Sequence, residues 1–210
     1  MIVHVNDNLW AFSESVKNFT IDSEVYPYVD KVPIDPVANM QYRINLLESA
    51  KDDVGLQQQL REMCREDTLF FINTFCWLYE PRPRPKILPF ILWPHQFPAL
   101  ATMERCLGYE DLGLEKSRGE GATWMYLTLF FKYWLFEDLV VDSREDTDTL
   151  MWKIDFHMRN LPFWMRPEGF EQKLHRSYSK HSLVNPANGS TIVGYSATGD
   201  VASGGRKTAF

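Results

Sequence analysis

"LGLEKSRGEGATWMYLTLFFKYWLFEDLVVDS", Leu112 to Ser143, changes its pattern three times in one short run. Leu112 to Lys116 predicts a strand, Ser117 to Gly121 a glycine-rich turn, Thr123 to Phe136 a helix and Leu139 to Ser143 a second strand. The helix is apolar on nearly every side and the second strand carries an unbroken "LVV". Both are what a parallel sheet covered on its two faces requires, so the segment reads as a βαβ unit of an α/β fold.

The turn carries the chemistry. A strand, a turn with Gly119 and Gly121, and a helix opening at Thr123 are the context of a phosphate-binding loop. Backbone amides from Ser117 through Arg118, Gly119, Glu120 and Gly121 to Ala122, together with the positive end of the helix, can point at one anion. Thr123 stands where a hydroxyl would ligate Mg²⁺ beside the phosphates. The usual lysine is missing, because Ala122 occupies its position. Lys116, at the strand end, has a flexible stem able to reach the phosphates from the loop's other end. Arg118 adds a planar fork for the terminal phosphate or for charge developing during its transfer.

Upstream, "WPHQF" places Trp93, His95 and Gln96 ahead of the loop. The glutamine amide can both donate to and accept from an adenine edge, and the neighbouring aromatics can stack on the base. Short glycine turns are common in α/β proteins, and a glutamine after proline is usually a helix-start residue. The two motifs therefore support each other only in combination.

Composition sets the outer bounds. The 210 residues are 45% hydrophobic and 14% aromatic, with seven tryptophans, enough for a thick packed core. A formal charge of -6 argues against coating nucleic acid by bulk attraction, while leaving local contact open. Cys64, Cys76 and Cys106 form no C-x-x-C motif and read as reduced thiols rather than zinc ligands. The opening "MIVHVNDNLW" lacks the pattern of a secretory signal. The runs from Leu69 and from Trp124 fall short of the roughly 20 apolar residues of a spanning helix, and the second contains Lys132; both read as buried helices, with no membrane partner.

Two regions follow from the remaining pattern, residues 1–80 and 81–210. In the first, an arm up to about residue 35 lies on something else, and helical spacing runs from Pro36 to Tyr79, with Asp67 or Thr68 as a cap for the Leu69 run. Pro81, Pro83, Pro85 and Pro89 then favour an extended boundary without regular structure. Beyond it the pattern gives helices over His95 to Cys106 and Thr147 to Asn160, and a hairpin around Asn188-Gly189. The basic cluster Lys173, His175, Arg176, Lys180 and His181, like Arg82, Arg84 and Lys86, reads as a solvated face or as a contact with DNA backbone. His95 and His157 read as structural, and Asn188-Gly189-Ser190 matches a glycosylation sequon that an intracellular protein does not use.

Taken in order, "DTLFFINTFCWLYEPRPRP", "WPHQ", "KSRGEGATW", "LVVDSRE", "LPFWMRP" and "NGSTIVGYSATGDVASGGRKTAF" resemble the ATPase half of the large terminase subunit of tailed bacteriophages, over about residues 67 to 210. "WPHQ" looks like that family's adenine-binding motif and "KSRGEGATW" like its variant phosphate loop, with Arg118 matching the arginine carried there and Lys116 a lysine some members place at the loop's start. The resemblance implies a P-loop NTPase, with a parallel sheet flanked by helices and a helical N-terminal region. It implies ATP and Mg²⁺ bound by Trp93, His95, Gln96 and residues 116–123, with Lys116 and Arg118 catalytic and Thr123 on the metal. It also implies a DNA-packaging motor in the host cytoplasm, working as a homo-oligomeric ring with viral double-stranded DNA, a portal protein and a small terminase subunit.

The sequence departs from that pattern at Ala122 and at Phe210, which precedes the place of a Walker B strand, coupling motif and nuclease domain. The expectation is a P-loop core incomplete at its C-terminus, inactive as an isolated chain. Two other readings stay open: a helicase-like translocase, whose phosphate loop also follows a glutamine motif, and a non-hydrolysing interaction module.

Overall fold

The computed structural model describes residues 2–5, 8–11, 20–82, 85–110, 112–115, 119–137, 140–143, 147–177 and 181–194. Three aspartates start the first helices. Asp35 accepts from the amides of Val37 and Ala38 and, with Pro36 behind it, opens α1 (Pro36–Ala50). Asp53 accepts from Leu56 N and opens α2 (Val54–Glu66). Asp67 accepts from Phe70 N at 2.7 Å and opens α3 (Thr68–Phe75), whose every residue is buried. Asp67 also accepts from Tyr28 N and Val29 N at 2.8 and 2.9 Å, which fastens the preceding segment onto the helices and buries Tyr26, Val29 and Val32.

The apolar run from Leu69, expected to be one helix to Tyr79, breaks after Phe75. Trp77–Tyr79 is a strand (β3) paired antiparallel with Ile87–Pro89 (β4), so the proline-rich stretch closes a short hairpin where no regular structure was expected. Proline is tolerated there because Pro89 ends the outer strand.

Arg43, on α1, accounts for the break. Its guanidinium is buried and donates to Asn39 Oδ1, Cys76 O and Asn73 O, each at 2.7 Å, turning the last carbonyls of α3 inward toward a cation at the negative end of the helix dipole. Asn39 Nδ2 joins Asn73 O and Pro33 O. No ion pair forms with Arg43 among the described residues.

The remaining elements are α4 (Gln96–Cys106), β5 (Leu112–Glu115), α5 (Ala122–Phe136), β6 (Val140–Ser143), α6 (Thr147–Asn160), a short α7 (Gln172–His175), β7 (Arg176–Ser177), β8 (Ser182–Val184) and β9 (Thr191–Gly194). α5 is the central helix, packed on α3, α4 and α6, with Met125, Leu129, Phe131 and Trp134 enclosed. The hairpin around Asn188-Gly189 is present, with Gly189 at φ +79°. Its turn closes the end of α5: Asn185 Nδ2 donates to Trp134 O at 2.8 Å, and Asn188 Nδ2 and Ser190 Oγ both donate to Glu137 O. The asparagine of the sequon is thus a helix cap.

The fold is mixed α/β. Its strands around β5 differ from the βαβ expectation: β5 pairs antiparallel with Ile2–Val5 (β1), which pairs antiparallel with Asn8–Ala11 (β2). β6 lies in another sheet, parallel to β9, with β8 and β7 following antiparallel. A strand more than a hundred residues upstream takes the edge of β5, and two of the four-residue strands in that early arm carry no periodicity long enough to read. Among the described residues no helix is long and apolar enough to cross a membrane.

Candidate functional site

The two motifs singled out in the sequence meet. Gln96 is the first residue of α4 and is 3% exposed. Its Oε1 accepts from Trp93 N at 2.9 Å and its Nε2 donates to Glu120 O at 2.9 Å, inside the glycine turn. The amide keeps one acceptor site and one N–H beyond these two bonds. His95, half-buried, places Nε2 3.0 Å from Glu120 Oε2. The Trp93 ring, 53% exposed, lies 5.4 Å from the His95 ring. Gln96 thus bonds the loop, and His95 Nε2 lies beside the same residue's carboxylate without a hydrogen bond to it among the described residues.

Gly119 and Gly121 sit at φ +88° and +70°, backbone that side chains rarely adopt. Gly121 is also the residue before α5, and no side chain among the described residues caps it. Met125 N bonds Gly121 O at 3.0 Å, so the amides of Ala122, Thr123 and Trp124 precede the helical ladder. A Cβ on Gly121 would lie 2.9 Å from Gln96 Nε2, whereas one on Gly119 would meet nothing within 4 Å. Only the second glycine is required by the contact with Gln96. Ala122 is buried and Thr123 half-buried in the first turn. Lys116, Ser117 and Arg118 lie outside the described residues.

Behind the loop, α5 is held by aromatic side chains that sequence reading did not connect. Trp124 packs edge-on to Trp152, Phe156 and His157, and Trp152 packs edge-on to Tyr79. His157 is fully enclosed. Thr128 Oγ1 gives its proton to Trp124 O at 2.6 Å and so accepts from His157 Nε2 at 2.9 Å, which assigns the Nε2–H tautomer. Nδ1 has no partner among the described residues.

Burial pushes the His157 imidazole down to about 3. Between that value and the ordinary value near 6.5 the unfolded chain takes up a proton that the folded chain refuses, so stability falls on acidification by about 1.4 kcal/mol per pH unit. Urea midpoints at pH 7 and about pH 4.5 are expected to show His157→Phe losing about 2 kcal/mol less than wild type over that span. Parallel losses would show that the histidine is not the titrating group.

Of the basic cluster, Arg176 is no surface contact: it is buried and pairs with Asp155, its Nε 3.0 Å from Oδ1 and 3.1 Å from Oδ2. Arg82 grips Glu80 through Nε and Nη2 at 2.7 and 3.0 Å. His175 stacks on Phe170. Lys173 is exposed, and Arg84 and Lys180 lie outside the described residues.

The group least legible from sequence surrounds Glu104, on α4. Tyr26 Oη donates to its Oε2 at 2.9 Å, Tyr133 Oη to its Oε1 at 3.2 Å, and Thr68 Oγ1 also donates to Oε1; Lys132 Nζ lies 3.8 Å away. Burial holds Lys132 below the usual lysine range and, with Glu104, holds the Tyr26 and Tyr133 phenols well above theirs. One signal was visible, a lysine inside an apolar helix.

Searches against known proteins give a negative result: no protein-family model matches the chain, and no curated protein matches it.

Proposed function

We propose that the chain is a nucleotide-binding domain, the ATPase portion of a phage terminase large subunit, in which residues 119–123 and "WPHQ" form one ATP site. The observation that carries the reading is the bond from Gln96 Nε2 to Glu120 O. It joins a glutamine of the type that reads adenine to a glycine turn of the type that cradles phosphate, across 24 residues of sequence.

The residues present fit such a ligand. The uncapped first turn of α5 offers amides and the helix's positive end to an anion. Gly121 keeps the approach clear of a Cβ, and Trp93 presents an exposed ring beside Gln96. Thr123 would hold Mg²⁺ through its hydroxyl, and Lys116 and Arg118 would supply the charge that Ala122 does not. Bound Mg²⁺ supplies charge neutralisation for phosphoryl transfer. Gln96 fixes the turn relative to α4, and His95 lies beside the Glu120 carboxylate.

In this reading the domain works in the host cytoplasm within a homo-oligomeric ring, with viral double-stranded DNA, a portal protein and a small terminase subunit as partners. Calorimetric titration with a slowly hydrolysed ATP analogue and Mg²⁺ tests the site. Gln96→Ala should weaken binding about tenfold, the equivalent of about 1.4 kcal/mol and within the range of one buried hydrogen bond. Lys116→Ala should weaken it further. Wild-type affinity in both variants would refute the assignment.

A further inference from the structure

We propose that the Glu104 cluster is a latch through which the N-terminal segment around Tyr26 sets the geometry, and so the nucleotide affinity, of the site at residues 119–123. The regulatory meaning rests on the reading of that site given above; the mechanical link does not.

The two helices that build the site are pinned to each other twice. At one end Gln96, the first residue of α4, bonds the loop that opens α5. At the other, Glu104 of α4 meets Lys132 and Tyr133 of α5. The pins are separated by eight residues on α4, about 12 Å at 1.5 Å per residue, and on the other side Lys132 follows Glu120 by twelve residues. Helices pinned at two such points cannot slide or rotate at one end without moving the other.

The second pin is shared with two other parts of the chain. Thr68, opening α3, and Tyr26, in the N-terminal segment, both donate to the same carboxylate. That segment is anchored next door, where Asp67 accepts from the amides of Tyr28 and Val29 and where Tyr28 Oη donates to Glu66. Lys132 is the cation of the cluster and sits over the Tyr133 ring, with Nζ 4.4 Å from its centroid. A carboxylate that gathers three hydroxyls and an ammonium from three other parts of the chain is a junction, because loss of any one donor leaves a charged, half-buried acceptor partly unsatisfied. Lifting residues 22–31 away removes Tyr26 from Glu104 and, through the carboxylate it shares with Tyr133 and Lys132, loosens the hold of α4 on α5. The glycine turn, bonded to α4 through Gln96 Nε2, then loses its register. A partner that captures the N-terminal segment would lower nucleotide affinity by this route.

Hydrogen–deuterium exchange on the full chain without nucleotide tests the link. Tyr26→Phe keeps the ring and deletes only the donor. Exchange of the Met125 amide, whose bond to Gly121 O closes the turn, and of the amides of Tyr126 and Leu127 should quicken about tenfold, while those of α1, which shares no hydrogen bond with Glu104 among the described residues, keep wild-type rates. Unchanged rates at 125–127, or an equal rise in α1, would overturn the proposal, since the first denies the coupling and the second reduces it to general destabilisation. Titration of the same variant with the Mg²⁺–ATP analogue should show a severalfold loss of affinity. If wild type binds no nucleotide while the exchange result holds, the latch stands and the nucleotide reading falls.

Discussion

Arg43→Leu should lower the unfolding free energy by about 4 kcal/mol, among the largest effects of any single change in the chain. The guanidinium is 1% exposed and spreads its donors over Asn39 Oδ1, Asn73 O and Cys76 O, with Phe90 O at 3.4 Å. Its Cζ also lies 4.9 Å from the centroid of the Trp77 ring. Burial pulls Arg43 down to about 10, which leaves it charged at neutral pH.

Leucine fills part of the volume and satisfies none of the acceptors. Each buried acceptor left without a donor costs about 1–3 kcal/mol, and Asn39 Oδ1 loses the donor that Arg43 supplies, while Cys76 O keeps Phe90 N at 3.0 Å but loses the charged one. Asn73 O is buffered by Asn39 Nδ2. Arg43→Lys should recover part of the loss only, because one ammonium cannot present a planar fork to several acceptors at once. Urea unfolding at constant slope measures both variants. A loss below about 1 kcal/mol for the leucine variant would mean that the strand after α3 is not held by this side chain.

Gly121→Val should act on the site itself. At φ +70° a β-branched residue is strained by about 1–3 kcal/mol, and its Cβ falls 2.9 Å from Gln96 Nε2. The chain relieves the overlap by moving the glutamine or the turn, and either breaks the bond to Glu120 O. Affinity for the Mg²⁺–ATP analogue should drop tenfold or more. Gly119→Ala is the internal control. Its φ of +88° carries the backbone strain, but its Cβ meets nothing within 4 Å, so stability falls while the Gln96 bond survives. Equal affinity losses in the two variants would show that the contact between the motifs is incidental.

These two residues also mark what was legible. Gly121 was legible because its chemistry is local: a glycine before an apolar helix announces positive φ and an open helix end. Asp67 announced the helix of the Leu69 run in the same way, and Asn188-Gly189 its hairpin. Arg43 was not legible, since its carbonyl partners lie about thirty to fifty residues away and its role is to end a helix on which it does not lie. The split of the Leu69 run into α3 and β3 follows from that long-range contact, so a local reading continued the helix. The pairing of β5 failed for the same reason, because an apolar strand states that it needs a neighbour without stating which. At the site, Gln96 and the loop were each readable, but their bond is a property of how α4 packs on α5. Glu104 was invisible because its donors come from positions 26, 68, 132 and 133.

The central claim is that "WPHQ" and residues 119–123 make one nucleotide site, and thermal unfolding of the full chain with and without Mg²⁺ and ATP analogue tests it most directly. A ligand that binds only the folded state stabilises it by about 2.7 kcal/mol at a hundred times its dissociation constant, which for a chain of this size raises the melting temperature by about 5–10 °C. Wild type should show that rise and Lys116→Ala should not. A wild-type melting temperature unmoved by millimolar nucleotide and Mg²⁺ would contradict the account.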